Sequence, residues 1–237
     1  MAHTIRDIAA ALGAEAFGAV DLLVHGACEP ASATETDLAL AMTPAYGATL
    51  GQGAAQAAVI WPGADWRALG LKAAIIAPRA RLAMAGLTQM LDHPLPADGI
   101  SAHAVIDPSA KIGRNVRIGA FTVIGRDAVI GDESWIGDHV SIASGVTLGS
   151  DCQIHAGVRL QRGTRLGARV ILQPNVVVGG DGFSFVTAEP SNVELARDTL
   201  GEGAMTAPAD PRWHRIHSLG GVVIGDDVEV GANSCVD

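Results

Sequence analysis

Apolar positions fall in short blocks over the first part of the chain and at every sixth position from Ile100 onward. In the first part, Ile5, Ile8, Leu12 and Phe17 fit one face of an opening helix. The segment TDLALAM puts Leu38, Leu40 and Met42 on alternate positions, as a half-buried strand does. QAAVIW and LKAAIIA are short apolar runs bounded by Gly and Pro, which predict buried strands. RARLAMAGLTQML carries Leu82, Met84, Leu87 and Leu91 at helical spacing. Residues 1–99 therefore read as a small α/β domain, closed by DHPLPADG, whose two prolines and glycine predict a linker.

The second part follows a different rule. Ile100, Ile106, Ile112, Ile118 and Ile124 begin a register of six that runs without a miss to Leu172 and Val178. Two residues before most of these sits a small or β-branched residue, such as Thr122, Val140 or Val158. A glycine often follows, as at Gly113, Gly125 and Gly137. Helices and ordinary strands do not repeat in sixes. A parallel β-helix of hexapeptide repeats does: each six residues make one short strand and a turn, and three such units close a three-sided coil. Branched residues point into the prism and glycine relieves crowding at the corner. Burying each inward side chain is worth about 2–3 kcal/mol before entropy is subtracted. One coil cannot hide its own inner face, so stability belongs to the stack.

The register stops near Gly179, and residues 180–221 form an insertion before it resumes at Ile224, Val230 and Val236. A break this long inside a compact solenoid is more often functional than accidental. The sequence ends at Asp237, directly after an inward valine and without a polar cap. Because a bare solenoid end is sticky, the expectation is a chain that continues beyond Asp237.

Composition adds exclusions. A formal charge of −9 argues against a nucleic-acid footprint. Cys28, Cys152 and Cys235 are far apart and form no CxxC pair, which suits a reducing compartment and gives no zinc site. The N-terminal apolar stretch carries charges and is no signal peptide, and no long uninterrupted apolar run exists to span a membrane. A cytoplasmic protein without a membrane span is expected.

Three segments carry a resemblance. LALAMTPAYGATL resembles the aromatic-x-x-Asn-Pro-x-Tyr region of the UDP-3-O-(3-hydroxyacyl)glucosamine N-acyltransferases of lipid A synthesis. VVVGGDGFSF resembles that family's Gly-x-Asp-Gly-Phe-x-Phe segment, and IGDDVEVGANSCVD resembles its next block of coils. The order of α/β domain, coils, insertion and coils also matches over essentially the whole chain. The resemblance implies a left-handed β-helix, a homotrimer, and transfer of a (3R)-3-hydroxyacyl group from acyl carrier protein to the 2-amine of a UDP-linked, 3-O-acylated glucosamine. It implies no metal and no cofactor.

The resemblance also implies a uracil clamp in the first domain. Tyr46 retains one aromatic of the pair and Pro44 matches, whereas Leu40 stands where the family often has Phe and Thr43 where it often has Asn. Tyr46 alternatively packs the domain. Asp181, Phe183 and Phe185 of GDGFSF fall in the acyl or sugar region, or else the two phenylalanines pin the insertion to the coils.

Amide formation needs a base for the attacking amine and a donor for the oxyanion. In the family, a histidine some way beyond the position of Asp237 is the base, so no catalytic residue is expected within 1–237. His155 in CQIHAGV is the inside candidate, although it better matches a non-catalytic position. His217 is expected to make a structural hydrogen bond, and His103 and His139 to face solvent at corners. His139 and His155 sit at different positions of the hexad, which disfavours a gamma-class carbonic anhydrase. The long segment before the coils counts against the O-acyltransferase that begins lipid A synthesis. A trimeric relative that binds nucleotide or partner without catalysis is the remaining alternative.

Overall fold

The computed structural model describes residues 2–92, 99–202 and 210–237. His93 and the predicted linker, apart from its end residues Asp92 and Gly99, lie outside the described residues. The chain divides into two compact units, Met1–Leu95 and Pro96–Asp237.

In the first unit, strand β1 (His3–Thr4) leads into helix α1 (Ile5–Ala11), capped by Thr4 and Asp7 in a reciprocal box. Strands β2 (Glu15–Gly18), β3 (Leu23–Val24), β4 (Gly26–Cys28) and β5 (Asp37–Ala41) follow, then helix α2 (Pro44–Gly47). Strands β6 (Ala57–Ile60) and β7 (Ala73–Ile76) and helix α3 (Ala80–Leu91) complete it. The main sheet runs β2-β7-β6-β5-β4, parallel except for β2 against β7. Both of its faces are covered. Leu38, Ala57, Val59 and Ile75 bury one side with Ile5, Ile8 and Leu87 of the helices, while Ala39, Ala58 and Ile60 bury the other with Leu50 and Leu71.

Three local expectations are corrected here. Phe17 lies on β2, because α1 ends at Ala11 and the chain turns at Gly13 before the sheet. The strand through Leu38 is not half-buried, since alanines fill its second face. Leu82 is 64% exposed; α3 faces the sheet with Ala83 and Leu87 instead.

The second unit is the three-sided prism. One sheet stacks Arg117–Ile118, Trp135–Ile136, Gln153–Ile154, Ile171–Leu172 and Glu229–Val230. A second stacks six strands from Val105–Ile106 to Cys235–Val236, and a third stacks five from Lys111–Ile112 to Val223–Ile224. All pairs are parallel, and before the insertion each strand pairs with the third strand after it, as Val123 does with Ser141 and Val129 with Thr147. Three hexads therefore make one coil. Ile124, Ile136, Ile154 and Leu172 are buried, and so are the residues two before, including Val140, Cys152, Val158 and Val170. The inward polar residues are bonded: Thr122 Oγ1 donates to Gly137 O at 2.7 Å and accepts from Val140 N at 3.1 Å.

Two features make the corners. A Cβ on Gly137 would stand 2.8 Å from Ala156 N of the next coil, so no side chain fits there. From Ile112 to Leu172 the residue three past each aliphatic adopts a left-handed backbone, as in Asn115, Phe121, Asp127 and His139. Asn and Asp tolerate that conformation easily; Phe121 does not. Its ring stacks between His103 at 5.6 Å and His139 at 5.1 Å, up one corner. Both histidines are exposed there, as the hexad position predicts.

After Val178 the chain leaves the prism. Arg165 pairs with Val223 beyond the insertion just as Thr147 pairs with Arg165 before it, so the intervening span is looped out without loss of register. The insertion carries an antiparallel pair, Phe185–Val186 with His214–Arg215, and helix α4 (Asn192–Asp198), capped by Ser191 and Glu194. His217 is exposed and makes no side-chain hydrogen bond among the described residues, contrary to its predicted structural role; its neighbours Ile216 and Leu219 are also exposed, so this stretch offers it no packed surroundings.

Candidate functional site

In the first unit, β5 runs out at Ala41 and the chain turns into α2. Thr43 is the N-cap, its Oγ1 accepting from Tyr46 N at 3.5 Å, and Pro44 follows where a missing N–H costs nothing. This turn holds Leu40, Thr43 and Tyr46 on the wall of a groove of about 530 Å³. Pro44 does not line it and acts by shaping the turn. Tyr46 is 50% exposed, so its ring is available at the groove and is not part of the packed interior. Glu29, Arg81 and Met84 also line the groove, the last two from α3. Sequence reasoning missed them. Their signal was the side of α3 turned away from Ala83 and Leu87. A second groove, of about 480 Å³, shares Leu40 and Met84 and adds His3 and His25.

In the second unit, a cavity of about 870 Å³ opens where the insertion leaves and rejoins the prism. Gln161, Arg162, Asp181, Ser218 and Asp237 line it. Asp181 accepts a hydrogen bond from Arg215 at 2.9 Å, and Gly182 N donates to Ser218 Oγ at 3.1 Å, so the two ends of the insertion are tied together. Next to Asp181 in sequence, Phe183 and Phe185 meet edge to face at 4.9 Å and form, with Trp213, an apolar notch of about 370 Å³. The Arg215 guanidinium lies 5.6 Å from the Phe185 ring centre. Phe183 is 93% exposed, which removes it as an anchor to the coils. Trp213 was not singled out in the sequence; it lies at the far end of the insertion from Phe185, and the antiparallel strand pair creates their contact.

His155 packs edge-on against Trp135 at 5.1 Å, partly buried, and makes no side-chain hydrogen bond among the described residues. A base needs an orienting partner, and His155 has none here. Cys152 is buried in the prism, and burial pushes its thiol pKa up, away from the reactive thiolate. Among the described residues no three His, Cys, Asp or Glu side chains converge on a metal position. No helix among them is long and apolar enough to cross a membrane.

The family described as bacterial transferase hexapeptide (six repeats) matches residues 127–162, inside the stacked coils. A Ruegeria pomeroyi protein named UDP-3-O-acylglucosamine N-acyltransferase is 63% identical over all of this chain and 65% of its own length. One of the same name from Paracoccus denitrificans is 60% identical over all of this chain and 64% of its own. A Pseudomonas aeruginosa relative, also so named, is 38% identical over the whole chain and 61% of its own length. The chain thus spans about 65% or less of the curated relatives it matches.

Proposed function

We propose that this chain, which belongs with the UDP-3-O-acylglucosamine N-acyltransferases along its whole length, is the nucleotide-binding and coil-forming part of such an enzyme. That whole enzyme transfers a (3R)-3-hydroxyacyl group from the thioester of acyl carrier protein to the 2-amine of UDP-3-O-acylglucosamine, in the lipid A pathway. The single observation that carries this reading is 63% identity in an alignment that covers all of this chain.

Two surfaces, one in each unit, support this reading. The groove of the first unit takes the uridine, stacked on Tyr46, with Thr43 offering a hydroxyl and Leu40 apolar area. Phe183 and Phe185 supply an apolar surface for acyl chain, beside the more polar cavity holding Asp181. The amine attacks the thioester carbonyl carbon, the carrier leaves as its thiol, and a base removes the amine's proton. In this reading the base comes from beyond Asp237, and the packing of His155 against Trp135, without an orienting partner among the described residues, supports it. The working form is a cytoplasmic homotrimer, and the reaction uses neither metal nor cofactor.

The test compares residues 1–237 with a chain extended to the length of the relatives. N-acylated product is followed by mass spectrometry with 3-hydroxyacyl carrier protein and the UDP-sugar. The longer chain is expected to turn over and the shorter one not. Comparable turnover by the short chain would show the base to be misplaced. Nucleotide binding without turnover by the long chain would favour the non-catalytic reading.

A further inference from the structure

Arg81 stands out among the cations of the first unit. It lines the same groove as Tyr46, Thr43 and Leu40, from the first turn of α3. It has no ion pair or side-chain hydrogen bond among the described residues, whereas Arg6 pairs with Asp21 and Lys72 bonds Gln56. The other charge on the groove is Glu29, which repels phosphate. A nucleotide stacked on Tyr46 therefore has one electrostatically favourable direction for its diphosphate, towards the guanidinium. A guanidinium meets phosphate oxygens with two parallel N–H donors, so it fixes orientation as well as charge. The groove, at about 530 Å³, is within the size range that holds ligands of this class.

We propose that Arg81 is the diphosphate-binding residue of the nucleotide groove, setting the preference for a nucleoside diphosphate over the nucleoside. The inference rests on the uridine groove proposed above. It is tested by titrating UDP and uridine into the protein, Arg81→Gln and Tyr46→Ala, at low and high salt. Thermal unfolding is the fold control, since Arg81 is exposed.

Native protein is expected to bind UDP more tightly than uridine, with a gap that narrows in salt. Arg81→Gln should lose about 10- to 100-fold for UDP, as for a charged hydrogen bond, while uridine binding stays unchanged. Tyr46→Ala should weaken both ligands. Undiminished UDP binding by Arg81→Gln, with Tyr46→Ala still defective, overturns the role of Arg81 and leaves the groove standing. Uridine and UDP binding that are both indifferent to Tyr46→Ala overturn the groove and this inference together.

Discussion

Replacing Thr122 by valine removes one hydroxyl from the middle of the prism at nearly constant shape. Thr122 is fully buried, and its Oγ1 joins two coils, donating to Gly137 O at 2.7 Å and accepting from Val140 N at 3.1 Å. Losing two such bonds costs about 1–3 kcal/mol at the usual net value. Two effects offset part of that. A methyl in place of the hydroxyl adds apolar burial worth about 0.8 kcal/mol. The freed Val140 N–H also has a fallback, because Val146 and Val158 at equivalent positions bond the carbonyl three residues back at 3.4 Å. The net expectation is a loss of about 1–2 kcal/mol, or about 2–6 °C in the prism's melting temperature. Calorimetry measures the shift, and amide exchange at Val140 locates it. A variant as stable as the native chain, or more so, would refute the bridging role and mean that an apolar filling suits this position better.

Leu40→Phe would place a second ring on the groove wall with Tyr46, and should tighten UDP binding about 2- to 10-fold; weaker binding in a titration contradicts the stacking geometry. Iodoacetamide should label Cys235 in the folded chain and Cys152 only after denaturation, since burial raises the latter's pKa; mass spectrometry of equal early labelling would deny the packed interior. The backbone N–H and side chain of Arg114 hold the Asp132 carboxyl below the ordinary range, and the Arg169 side chain does the same for Asp227. A depressed folded-state pKa gives stability that is full above the ordinary carboxylate value of about 4 and lost as pH falls through the lower one. Arg169→Gln should therefore flatten the acid side of a melting-temperature profile between about pH 5 and 2, less so in high salt, and Arg114→Gln should do so less, because its backbone N–H still bonds Asp132; an unchanged slope in Arg169→Gln would refute the linkage.

The prism was legible because its rule is strictly local. Each aliphatic at the sixth position repeats the same burial, so Ile124 and Ile154 announce the same interior without knowledge of anything distant. The left-handed corner was not legible at Phe121, whose side chain offers no intrinsic preference for it and stacks instead on neighbouring coils. In the first unit, alternating Leu38 and Leu40 gave one face of the sheet, but alanines give a weak signal and concealed the second. The site followed the same division. Leu40, Thr43 and Tyr46 sit close together along the chain and came through together. Arg81 and Met84 reach the groove by tertiary packing of α3, and Trp213 by pairing across the insertion, neither of which sequence spacing encodes.

The excursion after Val178 separates two problems that most domains must solve together. Its departure and return are pinned by Gly163 lying against Gly221 and by the Asp181–Arg215 pair, so the ladder neither stretches nor slips across it. Whatever length or chemistry occupies the span between those pins, the coils on either side are indifferent to it. The span can then drift, lengthen or be grafted as a cassette while the stacked column stays constant. Related chains are expected to differ most there, and chimeras exchanging that span should fold.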